Sequence, residues 1–151
     1  LAEKTGIYGM IGGQTVDVEL TGKPIPAEKL DFIYRLKTGA LLEYSLMIGA
    51  ILGGADDAQV RIMEQVASDV GLAFQIRDDI LDVTSTSEVL GKPVGSDEKN
   101  EKTTYVTLEG LEQAEGEVDR YSNRAVENLK SLPVSNPFLE ELLLTLIHRE
   151  K

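Results

Sequence analysis

The residues from Asp57 to Val83 carry one long helical pattern, and an element of that length narrows the choice of fold more than anything else in the chain. Asp56 with Gln59 makes a capping-box signature at its start, and Gly53-Gly54 ends the helix before it. Helical periodicity continues nearly everywhere. Leu1 to Leu20 carries small residues spaced for close packing, Gly6, Gly9, Gly12 and Gly13, and stops at Thr21-Gly22-Lys23-Pro24. Pro26 suits the first turn of the next helix, where Leu30, Ile33, Tyr34 and Leu36 make an apolar face. Thr38 to Leu52 is apolar almost all round, which predicts burial between other helices. The pattern resumes at Thr103, breaks near Gly110 and ends at Pro133. Asn136 as cap and Pro137 then open a last helix, Phe138 to Arg149. No strand alternation is sustained. The expected fold is all-α, a helical bundle interrupted by one polar loop from Thr84 to Glu101.

Composition excludes several kinds of chemistry. The 151 residues are 42% hydrophobic and 27% charged, which suits a globular domain with its own core. The formal net charge of -11 argues against nucleic-acid binding, which needs basic surface to displace counterions. Without cysteine there is no disulfide, thiolate nucleophile or sulfur-ligated zinc. The single histidine, His148, has no triad-like neighbours in sequence. The longest apolar stretch, Leu46 to Leu52, is far shorter than the roughly 20 residues that span a bilayer. No membrane insertion is expected, and the cytoplasm is the expected compartment. The opening at Leu1 reads as an entry in mid-protein, so the expectation is a fragment.

The most informative stretch is Phe74-Gln75-Ile76-Arg77-Asp78-Asp79-Ile80-Leu81-Asp82. On a helix Gln75, Asp78, Asp79 and Asp82 fall at i, i+3, i+4 and i+7 and share a face. Ile76, Ile80 and Val83 share another, suited to packing. Carboxylates so close repel one another, and burying them raises their pKa values or calls for a cation. A hard divalent ion fits: magnesium takes oxygen ligands, one or two carboxylates with water and phosphate completing the shell. The spacing does not fit an EF-hand loop. It also suits a plain acidic face on a surface helix.

Directly after the acids comes Leu90-Gly91-Lys92-Pro93-Val94-Gly95, then Lys102-Thr103-Thr104-Tyr105. Its glycines allow close backbone approach to a ligand, and Lys92 and Lys102 bracket the loop with charges suited to a diphosphate. A solvated linker would look similar. Lys37-Thr38, at a helix junction, offers an ammonium and a hydroxyl to a phosphate oxygen, or an exposed lysine and a cap. Arg149 and Lys151 complement a helix dipole.

In this order, Gly12-Gly13-Gln14 with Asp17, Lys37-Thr38 before a hydrophobic helix, Phe74-Gln75 with Asp78-Asp79-x-x-Asp82, Leu90-Gly91-Lys92 and Lys102-Thr103-Thr104-Tyr105 resemble the trans-isoprenyl diphosphate synthases, nearest to bacterial farnesyl diphosphate synthases. The resemblance covers residues 1–151 as the C-terminal half of a polyprenyl synthase domain, the half with the second aspartate-rich motif. It implies an all-α bundle of the isoprenoid synthase type, usually a homodimer, around a deep cavity. It implies magnesium, with manganese as an alternative ion, held by Asp78 and Asp82 and supported by Asp79. Lys37, Lys92 and Lys102 would contact the allylic diphosphate, and Thr38 and Gln75 would turn oxygen dipoles toward the developing allylic cation. The implied reaction joins isopentenyl diphosphate to dimethylallyl or geranyl diphosphate by ionisation, condensation and elimination, giving farnesyl diphosphate. The N-terminal half, with the first aspartate motif, is absent, so the chain alone is expected to be inactive. Two other readings stand beside this one. The first is a non-catalytic subunit or fragment. The second is a class I terpene cyclase, which the Lys92 to Tyr105 loop disfavours because cyclases usually carry an Asn/Ser/Glu metal motif there.

Overall fold

At the start of the longest helix, Asp56 accepts a hydrogen bond from the Gln59 amide at 2.9 Å, and Gln59 Oε1 accepts one from the Asp56 amide at 3.0 Å. Two orphan backbone donors are thereby satisfied. A computed structural model describes residues 1–85 and 103–149 of the chain. Among them every regular element is helical: α1 (Ala2–Thr5), α2 (Met10–Leu20), α3 (Ala27–Tyr34), a π-helical turn (Arg35–Gly39), α4 (Ala40–Leu52), α5 (Asp57–Thr84), α6 (Tyr105–Glu109), α7 (Leu111–Lys130) and α8 (Pro137–Ile147). No helix among the described residues is long and apolar enough to cross a membrane.

The core lies along α5. Val66, Val70, Ala73, Ile76 and Ile80 form a continuous buried stripe on it, and Ala114, Val118, Ala125 and Leu129 line the facing side of α7. The α5 stripe steps by three and four residues, and the α7 stripe does so once the buried Ser122 between Val118 and Ala125 is included, as facing helices require. Each fully buried valine or isoleucine contributes about 1.5–3 kcal/mol relative to exposure. Leu30, Ile33 and Tyr34 of α3 close one side of this core, and Leu143 and Ile147 of α8 the other. Loss of the α5 cap through Asp56→Ala should cost about 1 kcal/mol. Urea unfolding followed by circular dichroism reads it, and an unmoved midpoint would show that the cap adds nothing.

Four local features differ from the sequence expectation. The first helical pattern is broken: Gly6 ends α1 in an extended conformation (φ -79°, ψ -160°), and α2 starts only after Gly9. Lys37 and Thr38 are not at a junction between separate helices. They lie inside a helical path from Ala27 to Leu52 whose middle widens to a π-turn. Val83, expected in the core with Ile76 and Ile80, is 48% exposed, because α5 reaches its last turn there. Helix α4 is covered on one side: Leu42, Leu46 and Ala50 pack against the core, while Leu41, Ile51 and Leu52 are exposed.

Candidate functional site

The π-turn is held between two glycines. A Cβ on Gly13 of α2 would lie 2.4 Å from the Lys37 amide nitrogen, and a Cβ on Gly71 of α5 would lie 2.9 Å from Gly39 Cα. Only a missing side chain lets the helices approach this closely. Lys37 and Thr38 thus sit on a widened turn fixed from both sides, a local form that recurs at functional sites. Asp17, one turn beyond Gly13 on α2, accepts a hydrogen bond from Lys37 Nζ at 2.6 Å. Gln75 follows Gly71 by four residues, so it stands about 6 Å further along α5 from the clasp, with the acids beyond it.

The three carboxylates of the motif occupy three different environments. Asp79 is buried. Its Oδ2 accepts from the Tyr34 hydroxyl and from the Tyr105 amide at 2.8 Å, tying α5 to α3 and to the start of α6. Asp82, one turn on from Asp78, is buried. Asp78 opens to solvent, its side chain 45% exposed, and its Oδ1 accepts from Arg149 Nη2 at 3.0 Å. The sequence reading of a shared acidic face holds in helical register. Burial, however, divides it into one accessible acid and two enclosed ones. Gln75, Lys37 and Thr38 are half-buried. Lys92 and Lys102 lie outside the described residues, as does Lys151.

Several site residues had no clear signal in the sequence. Arg149 is one: its guanidinium lies 3.7 Å from the Phe74 ring centroid and reaches Asp78, 71 positions away. Tyr34 is another: it reads as part of an apolar face, whereas its hydroxyl donates to Asp79, as does the amide of Tyr105 from the Lys102–Tyr105 motif. Asp17 was singled out with the glycines, but its pairing with Lys37 was not foreseen. His148 meets the Ser122 hydroxyl, 3.3 Å from Nε2, but Ser122 is buried at 3% exposure and cannot reach a substrate.

Among the described residues no group of three or more His, Cys, Asp or Glu side chains is close enough to enclose a metal. Magnesium needs no such cage, since one or two carboxylates with phosphate and water suffice. Asp78 and Asp82 are hard oxygen donors one turn apart on one face, and they fit a half-open site of that kind.

Comparison with known proteins shows what the chain is similar to. The family model described as polyprenyl synthetase matches residues 3–133. A farnesyl diphosphate synthase of Geobacillus stearothermophilus is 43% identical over 139 residues, 92% of this chain and 47% of that protein. A chloroplastic geranylgeranyl pyrophosphate synthase of Capsicum annuum is 44% identical over 135 residues, 87% of this chain and 37% of that protein. A geranyltransferase of Helicobacter pylori, solved with magnesium and isoprenyl diphosphate, superposes with a TM-score of 0.78 at 33% identity, over 96% of this chain and 48% of that one. The chain spans about half the length of the farnesyl diphosphate synthases it matches.

Proposed function

The chain belongs to the polyprenyl synthetase family, and from that premise we propose that it is the C-terminal, diphosphate-handling half of a farnesyl diphosphate synthase. The observation that carries this reading is the accessible carboxylate Asp78 on α5, in the same helical register as Asp82 and Gln75, on the helix whose Gly71 clasps the Lys37–Thr38 turn two helical turns earlier. Magnesium, or manganese in its place, when bound there supplies positive charge to a departing diphosphate. Asp78 and Asp82 would hold the ion, and Asp79 keeps α3, α5 and α6 in place behind them. Lys37, with Lys92 and Lys102, neutralises diphosphate oxygens. Thr38 and Gln75 direct oxygen dipoles to the allylic carbons as the C–O bond breaks and charge develops. The double bond of isopentenyl diphosphate then attacks C1 of the allylic cation, and transfer of a proton from the resulting cation to the released diphosphate completes the new prenyl unit. We further propose a homodimeric cytoplasmic enzyme as the working form.

The test joins residues 1–151 behind the N-terminal half of the Geobacillus stearothermophilus enzyme and assays farnesyl diphosphate by mass spectrometry. Asp78→Ala in this fusion should lower kcat about 100-fold, the scale of losing one preorganised electrostatic contact to the transition state. Wild-type turnover by the variant would overturn the role of Asp78. A cyclised product would favour a terpene cyclase instead. By itself the 151-residue chain should bind geranyl diphosphate and magnesium more weakly than micromolar, which isothermal titration checks.

A further inference from the structure

Arg149 is fixed by four contacts, and three involve the acidic helix. Its Nη2 donates to Asp78 Oδ1 at 3.0 Å, and its guanidinium lies over the Phe74 ring at 3.7 Å. Its own carbonyl accepts from Arg77 Nε at 3.2 Å, while Nη1 donates to the Leu146 carbonyl at 3.1 Å. Phe74, Arg77 and Asp78 stand at i, i+3 and i+4 on α5, one surface patch. The residue just past α8 is therefore seated at the edge of the acidic face, where it meets Asp78. The Arg149 side chain is only 17% exposed, so this is a packed contact rather than a loose surface pair.

We propose that Arg149 is a placeholder cation: docked, it takes the Asp78 oxygen that a divalent ion needs, so ion binding and docking of Arg149 oppose each other. The inference rests on the reading of Asp78 as a metal-binding carboxylate. Two cations cannot share Oδ1 without close like-charge repulsion. A planar guanidinium suits the resting state because it can stack on Phe74 and donate to Asp78 and Leu146 at once. Opposition of this kind is reciprocal: whatever the arginine takes from ion affinity, the ion takes from the docked arm.

Manganese(II) is the probe, followed by electron paramagnetic resonance on the full chain, with circular dichroism confirming that each variant is folded. Arg149→Gln should bind the ion about fivefold more tightly than wild type, the scale of a partly exposed ion pair. Arg149→Lys separates docking from charge. An ammonium keeps the charge but loses the stacked fork, so this variant should also bind more tightly; wild-type affinity would reduce the effect to bulk charge and overturn the placeholder. In the wild type, saturating manganese should speed amide exchange at His148 and Arg149. Unchanged exchange, or unchanged affinity in both Arg149 variants while Asp78→Asn weakens binding, removes the placeholder and leaves the metal-binding reading intact. Unchanged binding in Asp78→Asn removes that reading and this inference with it.

Discussion

Gly13→Val should destabilise the chain by about 3 kcal/mol and lower its thermal midpoint by about 6–12 °C. A Cβ at this position would lie 2.4 Å from the Lys37 amide nitrogen, 2.8 Å from Leu36 Cβ and 2.9 Å from the Leu36 carbonyl carbon. Two of these three atoms are backbone, so no side-chain rotation relieves the clash. The valine would gain a little helix propensity over glycine, a few tenths of a kcal/mol, which is too small to offset overpacking. Helix α2 would have to withdraw from the π-turn. Asp17 would withdraw with it, because it lies one turn on and holds Lys37 Nζ at 2.6 Å. The substitution should therefore act on the Lys37 position as well as on stability. Gly116 provides the control. It lies within α7 with open space where a Cβ would go, so Gly116→Ala should raise stability by about 0.5–1 kcal/mol through helix propensity alone. Thermal unfolding by circular dichroism compares the two. Equal midpoints for Gly13→Val and wild type would mean that α2 does not press on the turn.

The parts of the fold that were legible in the sequence are those set by neighbours in sequence. Asp56 and Gln59 close their box within one turn, Asn136 caps α8 by accepting from the Leu139 amide at 3.0 Å, and Gly110 takes the positive φ of 86° that ends α6. Each is a contact over a few residues, and residue type decides it. The π-turn was not legible because its phase shift is confined to the five residues Arg35–Gly39, too short a stretch for apolar spacing to reveal. Only the clasp of Gly13 and Gly71 across three elements marks it. Arg149 was not legible for a related reason. A basic residue beyond a helix end is accounted for by the dipole alone, and nothing local to it points to Phe74 or Asp78. The acids were legible as a helical face. Their division into accessible Asp78 and enclosed Asp79 depends on Tyr34 and Tyr105, which come from other helices.

Arg124→Ala should cost about 3 kcal/mol, because it strands a buried carboxylate. Asp69 on α5 is fully buried. Its Oδ2 accepts from Arg124 Nε at 2.8 Å, and its Oδ1 from Arg124 Nη2 at 2.5 Å and from Gln65 Nε2 at 3.2 Å. The pairing is bidentate and joins α5 to α7, the most extensive helix pair among the described residues. The Arg124 side chain is 43% exposed, so water already solvates part of it. The loss therefore belongs near the lower end of the range for breaking a buried pair. What makes the single substitution costly is the acid left behind with only Gln65, rather than the attraction lost. The double variant Asp69→Leu/Arg124→Met tests this directly. It removes both charges and fills the space with apolar atoms, and it should unfold within about 1 kcal/mol of wild type. The coupling in the double-mutant cycle should then be at least about 2 kcal/mol, measured by urea unfolding. Additive losses would mean no coupling between the two side chains, and the stranded carboxylate would then not be the source of the cost.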